Sequence, residues 1–162
     1  MIKVKDVLNA LSELAPVEIK EEWDNVGLMI GDGEANVTNI ITSLDCTMSV
    51  IDEAIEKRAE LIVTHHPLIF EKLESVTSSD TSGKKIIKLI KNGISVISMH
   101  TNLDKAKGGI NDLLCEILEL KNIRNIDKQE FSLGRTGELE AYVTLGEFVK
   151  KAKEKLNSDC IK

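Results

Sequence analysis

Two adjacent histidines follow a short apolar run, and their position suits metal binding. The run Leu61–Thr64 is rich in β-branched residues, which is typical of a buried strand, and His65 and His66 follow it directly. Pro67 then prevents further strand pairing. Neighbouring side chains of an ideal strand point to opposite faces, but the backbone turns at a strand end, so both imidazoles can reach one pocket. Two neighbouring imidazoles suit two neighbouring metal ions.

The third and last histidine of the sequence, His100, ends a second apolar run at 94–99. All three imidazoles therefore follow predicted strands, at the edge where open α/β sheets bind ligands. Asp104, four residues later, is the candidate for a bridging carboxylate. Imidazole and carboxylate together favour zinc, iron or manganese. We interpret His100 as a residue that orients a ligand through its ring N–H rather than as a ligand itself.

Other polar residues near these strand ends have two interpretations each. The histidine pair alone would also fit a polar turn, and His100 with Asp104 favours the metal site. Asp24 and Asn25 adjoin the single tryptophan, Trp23, which suggests either a packing anchor or side chains that enter the metal pocket. Asp45 follows another predicted strand, where it can support a metal ligand or open the next helix.

The composition indicates a globular α/β protein and excludes several functional classes. The 162 residues are 42% hydrophobic and 30% charged, with only 3% aromatic, so the core must consist of Ile, Leu and Val. A net charge of -6 without a basic patch argues against nucleic-acid binding. Three cysteines without a Cys-x-x-Cys pair suit a reducing compartment. No apolar run is long enough for a signal peptide or a membrane span, so the cytoplasm is expected.

The order of predicted elements is helix, strand, strand, helix, strand, helix, strand, helix. This alternation predicts a helix-covered mixed, mostly parallel sheet, and the first two strands can differ in direction because they follow each other directly. We expect one α-β-(β-α)3 repeat with the metal-ligand edge in residues 1–122 and the incomplete start of a second repeat in residues 123–162.

Local signals predict where the helices begin. Thr47 or Ser49 can cap the helix after the second strand, Ser82 opens the next one, and Thr144 begins a capping box. Residues 122–137 have a mixed pattern that allows one short strand, and residues 134–137 have the composition of a turn.

Three ordered motifs resemble one known family. They are Trp23–Leu28, Thr64–Leu68 and His100–Asp104, and the resemblance extends from about residue 4 to the end, including Leu133–Gly137. The family is the GTP cyclohydrolase I type 2-like family, also described as NGG-interacting-factor proteins with a dinuclear metal centre. The resemblance implies two intertwined α/β repeats and a toroidal homohexamer. It also implies two divalent metal ions per complete site, facing the inner cavity.

The resemblance implies that the N-terminal metal ligands are His65, His66 and Asp104. The family completes its site with a histidine and a glutamate near the C-terminus, but no histidine follows His100 here. We therefore expect that the sequence is either a fragment or a truncated product with part of the site. We also expect such a chain to be poorly stable or to associate with itself, because it would expose surface that is otherwise covered.

Three functional hypotheses follow from these residues and the resemblance. The first is a metal-dependent hydrolase acting on a nucleotide or related heterocycle, since two metal ions can activate water and stabilise developing charge. The second is a non-enzymatic metal-binding regulatory or scaffold protein. The third is an inactive truncated chain with half a metal site.

Overall fold

The computed structural model describes residues 1–161, and Lys162, the last residue of the predicted second segment, lies outside them. The chain divides into two compact units, Met1–Leu103 and Asp104–Lys162. This division reflects packing and not internal duplication, so the expected repeat boundary after residue 122 stays a prediction. No helix within residues 1–161 is both long and apolar enough to cross a membrane.

The first unit contains three α-helices, one short 3-10 turn and four strands, and a further short helix crosses the division between the units. The 3-10 turn is Val17–Ile19 and the crossing helix, α4, is Thr101–Lys105. The other elements are α1 (Val4–Leu14), β1 (Gly27–Ile30), β2 (Ile40–Ser43), α2 (Met48–Glu56), β3 (Leu61–Thr64), α3 (Thr81–Lys91) and β4 (Ser95–Ser98).

The four strands form one mixed sheet in the order β1-β4-β3-β2. Strands β2, β3 and β4 are parallel, with Thr64 opposite Ser43 on one side and Ser98 on the other. Strand β1 is antiparallel to β4. The predicted mixed, mostly parallel sheet is therefore confirmed, including the reversed direction of one of the first two strands.

Helices α2 and α3 cover one face of this sheet. Ile62 and Val96 point toward them, and both are fully buried. The next residue, Val63, points to the opposite face, where it lines an apolar cavity together with Leu11 and Leu14 of α1. The helix side of the sheet is closed by a cluster of small and branched apolar residues, among them Ile51, Ala54, Ile86 and Leu89.

Side-chain caps determine where two of these helices begin. The Thr47 hydroxyl accepts a hydrogen bond from the backbone N–H of Val50, so Thr47 is the cap of α2, as predicted. The start predicted at Ser82 is wrong, because Asp80 accepts from the N–H of Gly83 and α3 begins one residue earlier than Ser82. A carboxylate at the helix N-terminus also interacts favourably with the helix dipole.

The second unit combines two helices with an antiparallel pair of strands. Its last helix begins with the predicted capping box, in which Thr144 and Glu147 each bind the other's backbone N–H. The elements are α5 (Ile110–Ile117), β5 (Lys121–Asn125), β6 (Arg135–Glu138) and α6 (Leu145–Leu156).

The turn predicted at residues 134–137 is wrong, because these residues form most of β6. Arg135 fixes the start of this strand: its guanidinium donates to the carboxylate of Asp112 and to the carbonyl oxygens of Ser132 and Lys105. Asp112 and Lys105 are distant in sequence, and Ser132 lies in the irregular segment before the strand. The glycine-rich local sequence therefore does not predict a strand that depends on these contacts.

Candidate metal centre

The three histidines meet at the carboxyl end of the parallel strands. Because β3 and β4 are adjacent and parallel, the chain leaves both strands at the same edge of the sheet. The ring centroids of His65 and His66 are 5.1 Å apart, and those of His65 and His100 are also 5.1 Å apart. His66 and His100 are separated by 5.7 Å. One candidate ligand nitrogen from each ring lies within 4.8 Å of the others.

Oxygen acceptors orient the rings of His65 and His66. His65 Nδ1 lies 2.9 Å from the carbonyl oxygen of Met99, and His66 Nδ1 lies 2.8 Å from Asp45 Oδ1. Neither oxygen can donate a hydrogen bond, so these partners assign the proton to Nδ1 in both rings. With this tautomer the lone pair of each ring is on Nε2, the atom through which such an imidazole binds a metal ion.

His100 is held in the same way by a more buried partner. Its Nδ1 lies 2.8 Å from Asp24 Oδ1, and the Asp24 side chain has no exposed surface. Asp24 also accepts hydrogen bonds from the backbone N–H and hydroxyl of Thr101 and from the N–H of Asn25. Burial by itself raises the pKa of Asp24, but these hydrogen bonds outweigh burial and hold its pKa below the ordinary value. The carboxylate is therefore ionised and fixes the imidazole.

His100 lies beside His65 and His66 in this cluster. The supporting role that the sequence predicts for it stays a prediction, and its position also makes it a third candidate ligand. The Asp24 contact joins residues 76 positions apart, so only the tertiary structure pairs them.

Asp45 and Asp104 occupy different settings. The Asp45 side chain is 55% exposed and contacts His66, and the cap of α2 is Thr47 rather than Asp45. Asp104 lies in α4, four residues after His100, and is the first residue of the second unit. Its role as a bridging ligand stays a prediction.

Asn25 forms a hydrogen bond with the backbone of the segment that follows His65 and His66. Its amide donates to the carbonyl oxygen of Ile69 at 2.6 Å and contacts the sulfur of Met29 at 3.4 Å. Phe70 follows Ile69 in the chain. Its ring centroid lies 6.1 Å from that of Trp23, and both ring centroids lie 6.4 Å from that of His100. Sequence reasoning missed Phe70, whose only local signal is its position three residues after Pro67.

The cysteines are not among the candidate metal ligands of this cluster. All three, which fall within residues 1–161, are free thiols, and Cys46 and Cys115 are buried. Burial raises the pKa of Cys46 to about 11, so its thiol is protonated at neutral pH. Buried thiols of this kind pack as small apolar side chains.

The donor set fits a divalent metal ion. Three imidazoles with oriented rings are a known ligand set for catalytic zinc, and imidazole also binds iron. Acceptors behind each ring fix its tautomer and raise its basicity, which is the arrangement common to histidine ligands. The chain is thus an α/β protein with a candidate metal centre at the carboxyl edge of its parallel strands.

Comparison with known families agrees with this class. The model of the Duf34/NIF3 (NGG1p interacting factor 3) family matches residues 2–162, so the chain belongs to that family. This confirms the family resemblance of the sequence motifs.

Curated relatives carry a common name. A protein of Clostridium acetobutylicum is 49% identical over 158 residues, which are 94% of this chain and 59% of that protein. One from Clostridium perfringens is 47% identical over 159 residues, or 96% of this chain and 61% of its own length. Each is named "GTP cyclohydrolase 1 type 2 homolog". The chain thus spans about 60% of the length of these relatives.

Solved structures share the fold. Staphylococcus aureus protein SA1388 superposes with a TM-score of 0.88 at 33% identity, covering 99% of this chain and 67% of that chain. Reduced HcgD from Methanocaldococcus jannaschii gives a TM-score of 0.84 at 32% identity, covering 94% of this chain and 60% of that chain.

Proposed function

We propose that the cluster of His65, His66 and His100 holds divalent metal ions and that the protein is a metal-dependent hydrolase. The observation that carries this proposal is the convergence of three rings whose Nδ1 atoms each face an oxygen acceptor. Zinc, iron and manganese are the candidate ions. Asp104 is proposed as the bridging carboxylate of a dinuclear centre.

The substrate proposed is a nucleotide or a related heterocycle. Relatives from two Clostridium species are named as homologues of a GTP cyclohydrolase, which supports hydrolysis of a heterocyclic ring. Metal ions in such a site activate water and stabilise developing negative charge. In this chain Asp24 and Asp45 hold the rings of His100 and His66 at fixed angles, so the ligand atoms need little reorganisation.

Metal analysis tests the site directly. The purified chain is loaded with zinc, dialysed and analysed for bound metal beside the variants His65→Ala, His66→Ala and His100→Ala. We expect each substitution to lower the metal content, because each removes one imidazole donor. Far-UV circular dichroism checks that the variants fold. Metal content that is unchanged in His65→Ala would rule out the proposed ligands.

A turnover assay beside the metal analysis distinguishes the hydrolase from two alternative functions. Turnover of GTP or a phosphoester that chelation abolishes supports the hydrolase. Metal binding without turnover supports a regulatory or scaffold protein, and a chain that retains no metal supports an inactive product with half a site. We further propose a cytoplasmic homo-oligomer, from the cysteine composition and the hexameric ring that the family resemblance implies.

A further inference from the structure

Two aromatic side chains beside the histidine cluster are exposed to solvent. The chain has one tryptophan, one tyrosine and three phenylalanines, and two of these few rings meet at this place. Trp23 is 58% exposed and Phe70 is 49% exposed. A packing anchor would bury most of its ring, since the stabilisation comes from area removed from water. Packing in the core therefore does not account for the exposed surface of these two residues.

The two rings form a bent wall next to one histidine. Trp23 and Phe70 are 6.1 Å apart at 59° to each other. Each lies 6.4 Å from His100, at 79° and 87° respectively. A planar ligand that stacks on one ring can therefore meet the second at an angle, and both contacts are favourable aromatic geometries. This aromatic wall adjoins the proposed metal ligands.

Hydrogen bonds hold both parts of the aromatic wall in place. The Asn25 amide binds the carbonyl oxygen of Ile69, which directly precedes Phe70. Asp24, which directly follows Trp23, is buried and accepts four hydrogen bonds. The backbone at Trp23 and at Phe70 is therefore fixed before a ligand binds, so binding costs little conformational entropy there.

We propose that Trp23 and Phe70 form a stacking subsite for the planar nitrogen heterocycle of the substrate, of the purine class. The substrate class rests on the proposed function, whereas the stacking role rests on the two exposed rings. Stacking here holds the heterocycle against the imidazole cluster. Trp23 and Phe70 are specificity-determining residues in this arrangement, because neither ribose nor phosphate has an aromatic face for π-stacking.

The single tryptophan makes the test direct. Guanosine is titrated into the protein while Trp23 fluorescence is recorded, both with chelator present and after zinc loading, and free N-acetyltryptophanamide corrects for absorption. We expect saturable quenching by guanosine and none by ribose 5-phosphate. In calorimetry, Phe70→Leu should raise the guanosine Kd at least about five-fold, the change expected from loss of one stacking contact. Tyr142→Leu, at a fully exposed ring of the second unit, should leave the Kd unchanged.

The outcomes separate this inference from the proposed metal site. Guanosine binding that persists in chelator and weakens in Phe70→Leu and Trp23→Leu supports the stacking subsite, even if His65→Ala retains its metal content. Absence of guanosine binding in both arms overturns the subsite. Equal Kd values in Phe70→Leu, Trp23→Leu and Tyr142→Leu overturn it as well. Circular dichroism confirms that each variant is folded.

Discussion

Two histidines of the cluster, His100 and His66, are held by carboxylates of very different burial. The Asp24 side chain is inaccessible, whereas that of Asp45 is 55% exposed. We predict that Asp24→Asn lowers zinc affinity about 10- to 100-fold, because the amide no longer fixes the tautomer of His100. Asp45→Asn should cost less, since water can replace its contact with His66. Competition against a chromophoric chelator measures both affinities.

An exposed acid of the same unit provides the control for these variants. Asp52 pairs with Lys88 away from the cluster, so Asp52→Asn should leave zinc affinity unchanged. If Asp24→Asn bound zinc as tightly as Asp52→Asn, the orienting role of Asp24 would be refuted.

At the residue scale, the sequence predicts site residues that directly follow a strand, but it does not predict contacts between residues that are distant in sequence. His65, His66 and His100 are predictable because each follows an apolar run, and parallel strands bring such ends together. Asp24 is a candidate only through its neighbour Trp23. Its partner His100 is distant in sequence, and the contact of Phe70 with Trp23 depends on where a loop folds back.

At the element scale, a single carboxylate holds the start of the edge strand β2. Glu60 accepts hydrogen bonds from the backbone N–H groups of Thr38 and Asn39 at 3.0 and 2.9 Å. The bond from Asn39 and then that from Thr38 hold the pKa of Glu60 below its ordinary value of 4.5. A lowered folded pKa means that this stabilisation is present above pH 4.5 and is lost as pH falls through the folded pKa.

We therefore predict a pH-dependent effect of Glu60→Gln. At neutral pH the free energy of unfolding should fall by about 1 kcal/mol, the order of a solvent-accessible charged hydrogen bond. The gap from the unsubstituted chain should close well below pH 4.5. Urea unfolding at both pH values measures it, with the exposed loop variant Glu74→Gln as control. A gap that does not vary with pH would contradict the prediction.

Element boundaries show the same division between local and tertiary signals. Apolar spacing in the sequence predicts a helix over Val4–Leu14 and a strand over Leu61–Thr64, and the structure has both elements with these bounds. The apolar run at residues 37–44 also predicts a strand, but the strand in the structure is shorter, at Ile40–Ser43, since pairing with β3 decides its length. Strand β6 was missed because Arg135 is positioned by distant partners.

At the scale of the whole molecule, a bound metal should stabilise the fold. A ligand that binds only the folded chain adds about 2.7 kcal/mol to the free energy of unfolding at a concentration 100 times its Kd. We predict a higher Tm with zinc, a return to the lower Tm with chelator, and no zinc-dependent shift in His65→Ala. Differential scanning calorimetry measures all three. An equal shift in His65→Ala would place the stabilising ion elsewhere.

Self-association is the other prediction at this scale. Between α1 and the sheet lies an apolar cavity of about 240 Å³ that is lined by Leu11, Leu14 and Val63. Leu14 is 70% exposed at its rim, and exposed apolar surface of this kind favours contact with a second copy. We predict that Leu14→Gln shifts the chain toward monomer in size-exclusion chromatography with light scattering. Ile90→Gln, 62% exposed on α3, should not. A monomer at every concentration, or equal effects of both substitutions, would refute association through this cavity.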